Sequence, residues 1–190
     1  EGFLMPDTYL LKKTDEPDDA QFKAQARAVA GRMVDNFWRK AAAVWPGKAR
    51  PKPDDLKKWV ILASVVEKET AIDAERPRVA GVYRNRLARQ MLLQADPTVI
   101  YGLGPAFDGN LRRKDLDDPN NPYNTYQRPG LPPGPICSFG TAALASAVNP
   151  EAHDFLYFVA KTDGGEHVFS TTLTEHNRAV RQYLQNRRGG

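Results

Sequence analysis

The chain has 190 residues, of which 41% are hydrophobic and 26% are charged. This composition is sufficient for one packed core and excludes an intrinsically disordered chain. The formal net charge of +4 is compatible with an acidic polymer as partner or with simple solubility, and the scattered basic residues do not indicate nucleic-acid binding.

The cysteines, the histidines and the lengths of the apolar runs argue against a disulfide scaffold, a metal site and a membrane-spanning helix. Cys137 is the only cysteine, so an internal disulfide is impossible, and we interpret it as a small buried thiol rather than a nucleophile. The three histidines lack the spacing of metal ligands, so no metal or cofactor is expected. No apolar run reaches the about 18 residues that a membrane-spanning helix requires.

The first predicted element is extended, because residues 1–15 include the strand-like run T-Y-L-L. A helix follows, since Asp18 or Asp19 is a good N-cap and apolar residues recur at helical spacing as far as the break at Pro46-Gly47. The stripe that this helix is expected to bury in the core consists of Phe22, Ala26, Val29, Met33, Phe37 and Ala41.

Two further helices are predicted before residue 92. Pro53 is followed by two aspartates and opens a helix that runs through W-V-I-L-A-S-V-V-E-K-E-T. The next helix begins near Pro77 and runs towards Met91. Its basic residues are expected to form a solvated face rather than a substrate contact: Arg84, Arg86 and Arg89.

Residues 92–140 are rich in proline and glycine, which predicts a long functional or disordered loop, and their tyrosines argue against disorder. A short alanine-rich helix is expected at Thr141–Val148. F-L-Y-F-V-A, the turn T-D-G-G and E-H-V-F-S predict a β-hairpin. Thr174 is expected to cap a last helix that runs to about Asn186. The fold class is therefore α+β, with a small antiparallel sheet formed by the hairpin and the N-terminal strand.

Two glutamates lie at the end of the second predicted helix. A helix turns about 100° per residue, so Glu67 and Glu69 point about 160° apart and cannot both face one site. Glu69 continues the bulkier apolar row, where burial would raise the pKa of a carboxyl towards that of a general acid. Glu67 is interpreted as structural, paired with an arginine of the next helix. Spacing alone leaves open that both are ordinary glutamates at a helix end.

Several motifs follow one another along the chain: V-E-K-E-T, E-R-P-R-V-A-G-V-Y-R-N-R-L, L-Q-A-D-P-T-V-I-Y-G, Y-N-T-Y, G-L-P-P-G-P-I and F-S-T-T-L-T-E-H-N. With the opening E-G-F-L-M-P-D-T-Y, the chain resembles the MltG (YceG-like) family of endolytic murein transglycosylases over nearly its whole length. The resemblance implies a helix-rich, lysozyme-like catalytic domain of the YceG type at residues 1–190, with Glu69 as its acid. It also implies that the family's N-terminal membrane anchor and LysM-like module are absent from this chain.

The resemblance implies a function as well. Family members cleave the MurNAc–GlcNAc β-1,4 bond inside nascent peptidoglycan strands, leave 1,6-anhydro-MurNAc ends, limit strand length and use no cofactor. They are anchored in the inner membrane with the catalytic domain in the periplasm. The expected partners are glycan strands and peptidoglycan synthases, with no nucleic acid and with membrane contact only through a segment missing from this chain.

The same motifs contain candidate substrate-binding residues. Gln94 and Asp96 are expected to line the cleft and to bind sugar hydroxyls or stabilise positive charge, although Asp96 could merely begin a turn. Y-N-T-Y offers aromatic, amide and hydroxyl groups for a sugar ring, with loop packing as the alternative: Tyr123, Asn124, Thr125 and Tyr126. His176 and Asn177 are expected to contact the glycan or to cap the last helix.

Two alternative functions remain open at this level. A hydrolytic muramidase needs a second carboxylate facing Glu69, for which Asp96 and Asp108 are the candidates. A non-catalytic glycan-binding or scaffold domain would bind without cleaving. Glu75, in A-E-R-P, is assigned to the start of a helix rather than to catalysis.

Overall fold

The computed structural model describes residues 1–11, 18–46, 50–161 and 165–188. These ranges contain a two-stranded antiparallel sheet, β1 (Tyr157–Ala160) and β2 (His167–Ser170). They also contain seven α-helices: α1 (Asp19–Ala41), α2 (Pro53–Glu69), α3 (Arg76–Ala88), α4 (Asp96–Leu103), α5 (Arg113–Leu116), α6 (Thr141–Val148) and α7 (Leu173–Arg188). The predicted α+β class is confirmed. None of the described helices combines the length and apolar character of a membrane-crossing segment.

Helix α2 lies at the centre of the core and packs against α3 and α6. Every residue from Val60 to Val66 is buried, so this part of the helix is surrounded by protein rather than amphipathic. Ser64, the polar member of the run, donates to the carbonyl oxygen of Ile61 at 2.7 Å and accepts from the N–H of Ile136 at 3.0 Å. Because each buried aliphatic side chain contributes roughly 1.5–3 kcal/mol, the stretch holds Glu69 at a fixed place.

Helix α3 approaches the segment before β1 too closely for a side chain at Gly81. A Cβ atom there would lie 2.4 Å from His153 Nε2 and 2.5 Å from the carbonyl oxygen of Glu151. One turn later, Asn85 donates to the carbonyl oxygens of His153 at 2.7 Å and Phe155 at 3.0 Å. These contacts position β1 against α3.

The hairpin brings the C-terminal part of the chain to the end of α2. Helix α7 packs on both strands, and β1 packs on α3, where the rings of Phe158 and Tyr83 meet edge to face at 6.0 Å. Glu75 lies in a 3₁₀ turn just before α3 and accepts from the His167 N–H at 2.8 Å, with His167 Nδ1 2.6 Å from its other oxygen. Glu75 occupies the N-cap position of α3 as expected, but its side chain makes no capping hydrogen bond there and holds β2 instead.

The prediction for the first helix is partly wrong. Phe37 and Ala41 are fully buried, but Phe22 is 63% exposed and Ala26 is also exposed. No described element packs on the first half of α1 strongly enough to bury its stripe. The helix ends at Ala41, before the predicted break at Pro46; Gly47 lies outside the described residues.

Three other expectations about secondary structure are corrected. The described residues of the N-terminal segment, 1–11, form no strand, so the sheet consists of the hairpin alone. The segment expected to be loop contains α4 and α5. Thr172 rather than Thr174 precedes α7, and its hydroxyl accepts from the Glu175 N–H at 3.2 Å. Residues 12–15 and most of the turn T-D-G-G, at 162–164, lie outside the described residues.

Candidate active site

A cavity of about 260 Å³ opens at the end of α2. Its walls come from the end of α2, from α3 and from the segment that leads into α4. The proline-rich loop (residues 117–140) and the hairpin with α7 complete them. The lining residues are Glu69, Tyr83, Arg86, Leu93, Gln94, Asp96, Tyr126, Phe158 and His176. The fold therefore collects in one place side chains that are far apart in the sequence.

Glu69 ends α2, and its half-buried carboxyl forms part of the cavity wall. Its Oε1 accepts from the hydroxyl of Tyr83 at 2.7 Å. Burial, assisted by the negative charge of Asp96, raises the pKa of Glu69 to about 7, against the opposing effects of the Tyr83 hydrogen bond and the Arg86 charge. A carboxyl with this pKa can give up and take back a proton near neutral pH, as a general acid must.

Tyr83 is a neutral donor to Glu69. Its side chain is 2% exposed. Burial and the nearby carboxyl of Glu69 raise the pKa of Tyr83 well above its usual value, so the hydroxyl keeps its proton. The hydrogen bond occupies one oxygen of Glu69 and leaves the other available to a substrate.

The prediction that Arg86 lies on a solvated face is wrong. The residue is 8% exposed, and its guanidinium donates to the carbonyl oxygens of Leu156 at 2.6 Å and Leu93 at 2.8 Å. Arg84 and Arg89 are exposed, as expected. The periodicity did contain the signal, because Arg86 follows Tyr83 by three positions and therefore shares its inner face. Arg86 ties β1 and the segment before α4 to α3, and places a positive charge near Glu69.

Gln94 and Asp96 both line the cavity, as expected from the sequence. Gln94 has a φ of 51°, which is uncommon outside glycine, and its N–H donates to the carbonyl oxygen of Thr125 at 3.1 Å. Asp96 accepts from the hydroxyl of Tyr126 at 2.5 Å. Burial and this bond to Asp96 raise the pKa of Tyr126 above its usual range. Asp96 is also the first residue of α4, so it both lines the cavity and begins a helix.

The residues of Y-N-T-Y divide between the cavity and the loop interior. Tyr126 lines the cavity with Glu69. Tyr123 lines a different cavity, with its ring 4.7 Å from that of Tyr101. The two middle residues of the motif are buried. The motif therefore brings one of its four side chains to Glu69.

Asn124 and Thr125 take the loop-packing role that the sequence left as an alternative. Asn124 is fully buried, and its amide donates to three carbonyl oxygens, two in the last turn of α5 and one just after it, the shortest bond being 2.8 Å to Asp118. Thr125 is 2% exposed; its hydroxyl accepts from the Ala95 N–H at 3.0 Å and lies 2.9 Å from that of Thr98. Because both side chains are occupied inside the protein, neither is free to bind a sugar.

His176 reaches the cavity from the first turn of α7, whereas Asn177 does not line it. The His176 ring stacks on that of Tyr157 at 5.2 Å, and burial together with the Arg86 charge lowers the pKa of His176. Its Nδ1 is buried, with no hydrogen-bond partner among the described residues. Asn177 is exposed.

The remaining acidic candidates have structural partners. Glu67 lies 3.3 Å from Arg76 Nη2 and accepts from the Gly140 N–H at 3.2 Å, so the predicted pairing with an arginine of the next helix is confirmed. Asp108 pairs with Arg112 at 2.7 Å in an exposed loop and does not line the cavity.

The paired acids leave two other kinds of reactive site to consider, the thiol of Cys137 and a metal centre. Cys137 is half-buried rather than buried as expected. Its surroundings raise the pKa of the thiol to about 11 through burial, and the thiol donates to the carbonyl oxygen of Ser64 at 3.2 Å, which agrees with the interpretation that it is not a nucleophile. In the described ranges, no group of three or more His, Cys, Asp or Glu side chains is arranged to hold a metal ion.

Comparisons with known proteins point to one family. The model of the YceG-like family matches residues 1–182. An endolytic murein transglycosylase of Bacillus subtilis is 35% identical over 98% of this chain and 49% of its own length, and one of Streptococcus pneumoniae is 29% identical over 98% of this chain and 33% of its own. The chain thus spans half or less of these curated relatives.

A solved structure agrees with the sequence comparisons. The crystal structure of a YceG-like protein from Listeria monocytogenes superposes with a TM-score of 0.74 at 36% identity, over 93% of this chain and 53% of that chain. The motif order, the fold and the family match across residues 1–182 lead to the same conclusion, that this chain belongs to the YceG-like family.

Proposed function

We propose that this chain is the catalytic domain of an endolytic lytic transglycosylase that cleaves the MurNAc–GlcNAc β-1,4 bond of peptidoglycan. The observation that carries the proposal is the half-buried carboxyl of Glu69, whose pKa is raised to about 7 at the wall of a solvent-accessible cavity. The relatives named endolytic murein transglycosylase support it.

Glu69 acts first as an acid and then as a base. Its proton passes to the glycosidic oxygen while the bond from that oxygen to C1 of MurNAc breaks, and GlcNAc leaves with a free 4-hydroxyl. The ionised carboxylate then takes the proton of the MurNAc 6-hydroxyl as O6 bonds to C1. The proton returns to Glu69, no water is consumed, and the product end is 1,6-anhydro-MurNAc.

The other lining residues stabilise and orient the reacting sugar. The carboxylate of Asp96, held by the Tyr126 hydroxyl, is placed to stabilise the positive charge that develops at C1. Gln94 and the ring of His176 offer hydrogen bonds to sugar hydroxyls. Tyr123 and Asn177 lie outside this cavity, so they would contact only sugars that are not part of the bond being cleaved.

Hydrolysis is the second candidate, because Asp96 lines the same cavity as Glu69. A hydrolase would use Asp96 as nucleophile or base and add water to C1. Mass spectrometry of murein digests separates the two reactions, since an anhydro end lacks one water. We expect anhydro ends from the native chain and, at a reduced rate, from Asp96→Asn. Hydrated ends would contradict the transglycosylase.

We further propose that the whole protein limits the length of nascent strands. It would do so beside peptidoglycan synthases, anchored in the cell's inner membrane with this domain in the periplasm. The predicted effect of Glu69→Gln in cells is longer glycan strands, measured by chromatography of strands freed from their peptides. Unchanged strand lengths would contradict this role and leave the reaction itself to the digestion experiment.

A further inference from the structure

A second, wider cavity of about 650 Å³ lies along α2. Its rim is charged and is formed by the first two turns of α2: Asp54, Lys57 and Lys58. Its floor is aliphatic and is formed by Ile61, Leu87, Leu131, Pro132 and Pro133. Among the residues that the structure describes, neither lysine lies within ion-pair distance of a carboxylate. The cavity therefore presents two available positive charges over an apolar surface.

One residue on the rim of this second cavity, Lys58, is aligned with Glu69 of the candidate active site. Lys58 precedes Glu69 by eleven residues, which is close to three full turns, so the two side chains share one face of α2 about 16 Å apart along its axis. On α3, Leu87 of the second cavity directly follows Arg86 of the first. The two cavities thus occupy neighbouring positions along the same pair of helices.

The proline-rich loop connects the two cavities. Tyr126 lines the cavity of Glu69, and Tyr123 lines a third cavity of about 300 Å³. The third cavity shares Leu131, Pro132 and Pro133 with the second. A polymer that is bound at Glu69 and follows this loop therefore passes the rim that carries the lysines.

We propose that the second cavity binds the stem peptide of the glycan strand that is cut at Glu69. This inference rests on the proposed function. A stem peptide has several carboxylates, one amine from its diamino acid, and alanine methyl groups. The carboxylates match the two lysines, the amine matches Asp54, and the methyl groups match the aliphatic floor. A stem of about five residues spans about 16–18 Å when extended, which covers the separation between Glu69 and Lys58 along α2.

The composition of the cavity favours the peptide over the sugar chain as its occupant. Sugar rings stack on aromatic faces, and among the described residues no aromatic side chain lines this cavity. In contrast, the cavity that contains Glu69 has three aromatic residues, Tyr83, Tyr126 and Phe158. The difference assigns the sugar to the first cavity and the aliphatic, charged peptide to the second.

The test compares two substrates, murein sacculi and the same sacculi stripped of peptides by an amidase. The variant is Lys57→Ala with Lys58→Ala, and the control removes the same charge from exposed positions elsewhere, with Lys23→Ala and Lys114→Ala. We expect the first pair to lower kcat/KM about three- to tenfold on intact sacculi, through KM, because solvent-exposed ion pairs are individually weak. On stripped glycan it should match the native chain. The proposal would be overturned if the double lysine variant matched the native chain on both substrates, or if it lost the same factor of kcat/KM on both.

A binding measurement separates this proposal from the proposed function. If the native chain cleaves neither substrate, the proposed function fails, and NMR titration of the chain with the free stem peptide decides the question of the cavity. Shifts confined to Ile61, Leu87 and Leu131 and abolished in the double lysine variant would support the peptide site. No shift at millimolar peptide, or shifts that persist in the variant, would overturn it.

Discussion

The two sides of the last turn of α2 place the same kind of side chain in different surroundings. On one side, the carboxylate of Glu67 is satisfied by Arg76 at 3.3 Å and by the N–H of Gly140 at 3.2 Å. On the other, Glu69 receives a hydrogen bond from the neutral hydroxyl of Tyr83 and faces a cavity. Two glutamates that are two residues apart on one helix therefore differ in role. Glu67 forms an ion pair that joins α2 to α3, whereas the carboxyl of Glu69 keeps its proton near neutral pH.

The difference teaches that the partner groups, rather than the residue type, decide the role of each glutamate. The carboxylate of Glu67 is held by a guanidinium and a backbone N–H and joins parts of the fold. A carboxyl that loses water without gaining a cationic partner at bonding distance holds its proton to higher pH. Substitutions on the two sides should therefore have opposite consequences for activity and stability.

The largest expected effect is on cleavage. Glu69→Gln should lower the rate of murein cleavage by about 10²–10⁴-fold, because the amide cannot transfer the proton. Glu67→Gln, the matched change on the opposite side, should leave the rate near that of the native chain. The release of soluble muropeptides measures both, with circular dichroism as the control for folding. Equal losses in the two variants would end the distinction between them.

The next effect is the pH dependence of the native chain. Because burial raises the pKa of Glu69 to about 7, the acid is protonated below that value and lost above it. The kcat/KM for murein should therefore fall about tenfold per pH unit on the alkaline side. Glu67→Gln should have the same profile. A rate that stays constant as the pH rises well beyond 7 would argue against Glu69 as the acid.

A smaller effect is expected on stability. A raised pKa in the folded chain means that protonated Glu69 favours folding; this contribution is complete below the usual glutamate value near 4 and disappears as pH rises through about 7. Glu69→Gln should therefore be more stable than the native chain at alkaline pH, by on the order of 1–2 kcal/mol. Urea unfolding at two pH values measures the difference. A variant that is less stable at alkaline pH would contradict the sign.

The same unfolding experiment tests the other side of the helix. Glu67→Gln removes one of the two carboxylates that pair with the guanidinium of Arg76, the other being that of Asp73 at 3.1 Å, and Arg76 is 9% exposed. We expect a loss of about 1–2 kcal/mol at neutral pH, in the range of hydrogen bonds to charged groups. An unchanged unfolding midpoint would mean that the pair contributes nothing to the fold.

The smallest effect concerns Tyr83. Tyr83→Phe keeps the buried ring and removes the hydrogen bond that lowers the pKa of Glu69. The pKa should rise further, so the alkaline limb of the pH–rate profile should move up by at most about one unit. A shift to lower pH would show that the hydroxyl does not stabilise the carboxylate.

The comparison also explains what could be predicted from the sequence. Helix-start residues identified α2 and alanine content identified α6. The helical period separated Glu67 from Glu69, because the direction of a side chain on a helix follows from its position in the sequence. It also indicated a charged partner for Glu67 in the next helix, where Arg76 lies. The family motifs placed Gln94, Asp96, Tyr126 and His176, and all four line the cavity.

What remained hidden depends on groups that only folding brings together. Arg86 was assigned to solvent because of its charge, although its spacing from Tyr83 places it on the inner face of α3. What the spacing cannot show is its partners, the backbone carbonyl oxygens of residues 92, 93 and 156. Asn124 and Thr125 have side chains suited to sugars, but neighbouring backbone and hydroxyl groups occupy them. The exposed start of α1 could not be predicted either, because an apolar stripe on a helix does not specify whether another element will pack on it.

The acid role proposed for Glu69 depends on burial keeping its carboxyl protonated near neutral pH. An NMR titration of the side-chain carboxyl of Glu69 in isotopically labelled protein, assigned by comparison with Glu69→Gln, measures this directly. We expect a midpoint of about 7, reached without any substrate present. A midpoint near 4.3, the value of an unperturbed glutamate, would contradict it and remove the physical basis for Glu69 as the acid.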